Sequence, residues 1–152
     1  SQPFFDKHKK IGIVFNGEIY NFQFLKRNLE RKGYQFFSNS DTEVLLHAYS
    51  CWGVKCLSKI NGMFAFAIYD SLNKKIFAAR DISGQKPFYY YLKNDSFFFG
   101  SSLETISTIP NLKKEICLKS LDYYLLSGFT PSETSLIKGI KKLLPANAMT
   151  YD

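Results

Sequence analysis

The stretch IGIVFNGEIYNF (residues 11–22) ends an apolar run on Asn16-Gly17, and an acid, Glu18, follows at once. Asparagine offers a side-chain amide donor. Glycine adopts backbone conformations closed to other residues and lets a ligand approach closely. If the Gly17 N–H and the Asn16 amide point into one cavity, they are the parts of an oxyanion hole, which stabilises charge developing on a carbonyl oxygen. A plainer reading competes. Asn-Gly between apolar segments is also the strongest short-range hairpin signal. Against it, helical spacing begins at Asn21 or Phe22, leaving three or four residues for a returning strand, near the minimum useful length. A strand that turns directly into a helix fits better.

The elements around these residues follow from periodicity. Residues 10–15 (KIGIVF) are predicted as a strand, and 21–32 as a helix carrying Phe22, Leu25 and Leu29 on one face and stopped by Gly33. Residues 34–37 suggest a short aromatic strand. Ser40-Asp41-Thr42-Glu43 has the form of a capping box before a helix running to about Ser50. Residues 54–60 suggest a further short helix. Residues 63–69 (MFAFAIY) are apolar at every position, as in a strand buried on both faces. Residues 75–79 return antiparallel to it. Residues 88–92 and 97–99 form a second hairpin, residues 103–108 and 118–127 are helical, and the Pro-containing tail from 143 to 152 ends in a short strand. This order is α+β and not a βαβ repeat.

Composition narrows the classes. A chain of 152 residues with 45% hydrophobic and 17% aromatic residues is long and apolar enough for one domain with a core of its own. No apolar run approaches the roughly 20 residues of a membrane span, and residues 1–10 lack a signal-peptide stretch. A cytoplasmic protein without membrane association is therefore expected. Cys51, Cys56 and Cys117 are odd in number and lack zinc spacing, which suits reduced thiols. The net charge of +7 comes from scattered lysine pairs, Lys9-Lys10, Lys74-Lys75, Lys113-Lys114 and Lys141-Lys142. No dense basic stripe with interleaved aromatics occurs, so nucleic-acid binding is not expected.

Four motifs occur in order: residues 16–21 (NGEIYN), residues 40–44 (SDTEV), residues 61–67 (NGMFAFA), and Arg80-Asp81-x-x-Gly84-x-Lys86-Pro87-x-Tyr89. Together with the tail, residues 140–145 (IKKLLP), they closely resemble the class II glutamine amidotransferase domain of glutamine-hydrolysing asparagine synthetases. The resemblance implies the four-layered αββα sandwich of antiparallel sheets of amino-terminal-nucleophile hydrolases. It implies hydrolysis of glutamine to glutamate and ammonia, with an amino-terminal cysteine as nucleophile and its own α-amino group as base. Asn16 and Gly17 would be the oxyanion hole, Glu18 a wall of the glutamine site, and Asp41 the carboxylate holding the substrate α-ammonium. Asp41 can equally be a helix-start residue. Arg80-Asp81 and Lys86-Pro87 read as a structural ion pair and a rigid turn near the pocket. The resemblance also implies a synthetase domain that activates aspartate with ATP and Mg²⁺ and receives the ammonia internally.

Residues 1–4 match a segment inside that domain. Residues 1–152 are therefore expected to be a partial amidotransferase domain, without the nucleophilic cysteine, the arginine for the substrate carboxylate, or the ATP-binding domain. No cofactor is expected within these residues, and no glutaminase activity from them alone. Ser1 is a poor substitute nucleophile, since about nine residues separate it from the first strand. At residues 101–104 (SSLE) the acid is displaced from the family's usual Ser-Glu, which puts contacts made there, including contacts to the partner domain, in doubt. The alternative is a non-catalytic relic domain serving as a binding or assembly module, whose unpaired sheet edge would invite another chain. A homo-oligomer stays open.

Overall fold

The computed structural model describes residues 2–152; Ser1, the poor substitute nucleophile, lies outside them. Eight strands form two antiparallel sheets. The larger is built from β1 (Phe4–Phe5), β2 (Ile11–Ile19), β3 (Gly62–Asp70), β4 (Lys75–Arg80) and β8 (Ala148–Tyr151), in the order β1-β2-β3-β4-β8. The smaller contains β5 (Tyr89–Lys93), β6 (Ser96–Gly100) and β7 (Ile140–Lys142), in the order β6-β5-β7. Helices α1 (Phe22–Glu30) and α2 (Asp41–Trp52), with a 3-10 helix at Gly53–Ser58, cover the outer face of the larger sheet. Helices α3 (Leu103–Ser107) and α4 (Leu118–Ser127) lie on the side of the smaller. This is the αββα layering expected from the resemblance.

The uniformly apolar β3 divides its two faces by size. Phe64, Phe66 and Ile68 pack with Ile13, Phe15, Leu25, Leu45 and Leu46 in the core under α1 and α2. Ala65 and Ala67, with Ala78 of β4, face Phe88, Tyr90, Phe97 and Phe99 of the second sheet region. Small residues on one sheet thus receive aromatic rings from the other. Fully buried side chains such as Phe66 and Ile68 each contribute about 1.5–3 kcal/mol of apolar burial.

Several expectations need correction. The first strand does not stop at residue 15. It runs through Asn16-Gly17 to Ile19, paired with β3 as Asn16↔Ala65, Gly17↔Phe64 and Ile19↔Gly62. The turn into α1 falls instead at Tyr20-Asn21, so neither a hairpin nor a strand-to-helix turn sits on Asn16-Gly17. Two glycines, one on each strand, account for this. A Cβ on Gly17 would lie 2.1 Å from the Met63 carbonyl oxygen, and one on Gly62 2.1 Å from that of Glu18. Close approach there lets the ladder continue.

Residues 34–37 form no strand. Ser40 caps α2 as expected, its Oγ accepting the Thr42 N–H at 3.2 Å. Glu43 does not close the capping box. Its carboxylate takes the N–H groups of Phe37 (2.9 Å) and Ser38 (2.8 Å), while the Ser40 N–H goes to Ser38 Oγ. The buried acid thus satisfies backbone that a strand partner would otherwise have served. At residues 101–104, Ser102 caps α3 through the Thr105 N–H, and Glu104 lies in the first turn, where an acid suits the helix dipole.

Arg80 and Asp81 make no ion pair with each other. Arg80 donates to the carbonyls of Gly84, Lys86 and Leu143 at 2.6–2.8 Å. Buried Asp81 accepts the N–H groups of Phe64, Ser83, Gln85 and Lys86. Each charge organises the backbone of the loop between β4 and β5. Burial alone would raise the Asp81 pKa, but these four donors outweigh it and hold it below the usual carboxylate range. A depressed folded pKa adds stability that is complete above the unfolded pKa and is lost as pH falls through the folded value. Asp81→Asn is therefore expected to lower Tm at neutral pH, with the gap to the parent closing below roughly pH 4. Thermal melts of both proteins from pH 7 downward check this; a gap that stays constant would contradict it.

Candidate active site

Hydrogen-bond parity in the larger sheet determines where the Gly17 amide points. In an antiparallel ladder a residue's N–H and C=O face the same side, and successive residues alternate. Phe64, opposite Gly17, gives its N–H to Asp81 Oδ2 (3.2 Å) and receives the Asp81 N–H on its carbonyl (2.8 Å). Both groups therefore face β4, and Gly17↔Phe64 is a non-hydrogen-bonded pair. The polar groups of Gly17 face the other edge of β2, as do those of Phe15 and Ile19.

Both neighbours on that edge are occupied. The Phe15 N–H donates to Gln2 Oε1 (2.7 Å), and Gln2 Nε2 donates to the Phe15 carbonyl (2.8 Å). The Ile19 N–H donates to Asp41 Oδ2 at 3.1 Å. Between them, the Gly17 N–H meets no side-chain or loop acceptor among the described residues. A polar backbone group left open between two clamped neighbours is available to a ligand.

The Asn16 side chain leaves through the sheet face, at right angles to the edge that the Gly17 N–H faces. It lines a cavity of about 290 Å³ between the sheets, with Val14, Ala65, Phe88, Phe99 and Ser101. It forms no hydrogen bond within the described residues, and it is not among buried polar groups lacking a partner, because none exists there. Its amide is thus open to solvent or ligand. Glu18 follows on the same face, exposed and outside every ion pair among the described residues. Asp41 is half-buried at the start of α2, where Ser40 already serves as cap. One Asp41 oxygen is used on Ile19; the other has no protein donor among the described residues.

The four residues read from the sequence therefore lie along the last four positions of β2 and the helix start clamped to them. Two further residues complete the frame. Gln2 secures Phe15. Asn21 secures the strand exit, its side chain bridging the Lys59 carbonyl (2.8 Å) and the Asn61 N–H (2.9 Å). Asn21 stands inside the NGEIYN motif, a signal available in the sequence. Gln2 carries no such signal.

None of the three cysteines lines the Asn16 cavity. Cys56 is fully buried, and burial pushes its thiol up to about 12, which leaves it protonated and unreactive at neutral pH.

The profile of the glutamine amidotransferase domain matches residues 1–152, the whole chain. The chain belongs to the glutamine amidotransferase domain family. This amidotransferase domain is 42% identical over 142 residues to asparagine synthetase [glutamine-hydrolyzing] 3 of Bacillus subtilis (strain 168), covering 91% of this chain and 23% of that protein. It is 38% identical over 149 residues to asparagine synthetase [glutamine-hydrolyzing] 1 of the same organism, covering 98% and 23%. The amidotransferase domain thus spans about a quarter of the length of these relatives. Among solved structures, "Structure of the allosteric regulatory enzyme of purine biosynthesis" aligns over 98% of this chain and 28% of that chain, with a TM-score of 0.62 and 22% identity. That likeness is one of fold. No helix among the described residues is long and apolar enough to cross a membrane.

Proposed function

We propose that these residues form the oxyanion- and ammonium-binding half of a glutaminase site in an asparagine synthetase-like enzyme. The observation that carries this reading is the Gly17 amide, held between the clamped Phe15 and Ile19, which like the neighbouring Asn16 amide has no partner among the described residues. A thiolate adding to the side-chain amide carbon of glutamine pushes the carbonyl electrons onto oxygen. The Gly17 N–H and the Asn16 amide stabilise that oxyanion. As it collapses, the C–N bond breaks, ammonia leaves with a proton, and water then releases glutamate from the acyl thioester. Asp41 uses its second oxygen on the substrate α-ammonium, and Glu18 lines the site.

The thiol and a cation for the α-carboxylate come, in this proposal, from polypeptide outside these 152 residues, which alone would not hydrolyse glutamine. Ammonia passes to a synthetase domain, where ATP and Mg²⁺ activate aspartate. The enzyme acts as a ligase in the cytoplasm, where its free thiols stay reduced.

Asp41→Asn in the full-length polypeptide tests the reading. Asparagine still offers an oxygen to the Ile19 N–H, so the strand clamp survives while the charge facing the ammonium is lost. The KM for glutamine is expected to rise on the order of 100-fold, with ammonia-dependent synthesis unchanged. Glutamine use at the parental KM would remove Asp41 from the site.

A further inference from the structure

We infer that Gln2 is a positioning residue for the Asn16-Gly17 donors, acting as a side-chain substitute for a neighbouring strand. The inference rests on the proposed role of those donors. β1 pairs with β2 as Phe4↔Ile13 and Phe5↔Gly12. Extended by that register, the ladder would place Gln2 opposite Phe15. The chain bends at Pro3, and the Gln2 carboxamide, not its backbone, meets Phe15.

A carboxamide has the donor and acceptor of a peptide group in the same plane. It satisfies both polar groups of Phe15, at 2.7 and 2.8 Å. The result is twofold. Phe15, the residue before Asn16, is fixed, and the Gln2 carboxamide leaves the next outward-facing amide, that of Gly17, without an acceptor among the described residues. Asp41 fixes Ile19 two residues further on. The oxyanion donors are thus suspended between two side-chain clamps. Preorganised donors lose their effect when displaced, and a shift of about 1 Å can cost as much as 100-fold in rate. Alanine at position 2 supplies neither bond. Glutamate keeps the acceptor but sets a negative charge against the Phe15 carbonyl.

The test measures Gln2→Ala and Gln2→Glu in the full-length polypeptide, with Asn16→Ala alongside. For both Gln2 variants, kcat for glutamine hydrolysis is expected to fall about 10-fold with KM within about twofold, because an interaction serving the transition state is impaired. Ammonia-dependent synthesis should stay at the parental rate. A merely structural role would lower both activities together. Parental kcat in both variants, a loss confined to KM, or a parallel loss of ammonia-dependent synthesis in both would overturn the inference. If Asn16→Ala also keeps its kcat, the oxyanion reading itself has failed. If Asn16→Ala loses activity while both Gln2 variants keep it, only the positioning role has failed.

Discussion

Asn16→Ala is expected to lower kcat for glutamine hydrolysis by about 10²–10³-fold in the full-length polypeptide, the usual cost of one oxyanion donor. The KM for glutamine should change little, because the donor acts on charge present only in the transition state. The structure makes this variant informative. The Asn16 side chain hydrogen-bonds to no described residue and lines an open cavity between the sheets. Its truncation should therefore leave Tm within about 2 °C of the parent, in line with a surface change of under 0.5 kcal/mol. Steady-state kinetics and a thermal melt together decide the matter. Retained kcat would exclude Asn16 as a donor. A large fall in Tm would show that its amide supports the sheet and has been misread as free.

How much of this was legible in the sequence depended on the range of the interactions involved. The two-faced burial of β3 was visible, because an apolar residue at every position of MFAFAIY leaves no solvent face. The cap at Ser40 was visible, since its partner Thr42 is two residues away. The course of β2 through Asn16-Gly17 was not. Locally Asn-Gly signals a turn, and what overrides it is Gly62, which is remote in sequence and lets the two backbones close up. The same limit hid the work of Arg80 and Asp81. Adjacent opposite charges suggest an ion pair, but a tight loop with unpaired carbonyls and N–H groups takes both. Glu43 served residues 37–38 for the same reason, at the expense of the expected aromatic strand. Motif order nominated Asn16, Gly17, Glu18 and Asp41, which the structure gathers at the end of β2 and the start of α2. The Gln2 clamp could not be read, since nothing about Gln-Pro announces a carboxamide paired with a strand.

Gly17→Ala is expected to cost about 3 kcal/mol of stability, at the upper end for overpacking, which lowers Tm by roughly 6–12 °C in a chain of this size. Two separate effects add. The residue sits at φ +149°, which L side chains rarely adopt, and the added Cβ would stand 2.1 Å from the Met63 oxygen and 2.7 Å from Phe64 Cα. Both obstacles are backbone of the central strand and cannot swing away. Two comparisons separate the contributions. Gly33→Ala at φ +90° meets nothing within 4 Å, so it carries the conformational cost alone, about 1 kcal/mol. Gly12→Ala meets the Phe5 ring at 2.5 Å, but that side chain is 43% exposed and can move aside. Thermal melts of the three variants should therefore rank Gly17→Ala as clearly the least stable. If it melts with Gly33→Ala, the strands have room to part at this point. The close backbone approach would then be no constraint on β2, and the glycine at position 17 would be explained by its open amide alone.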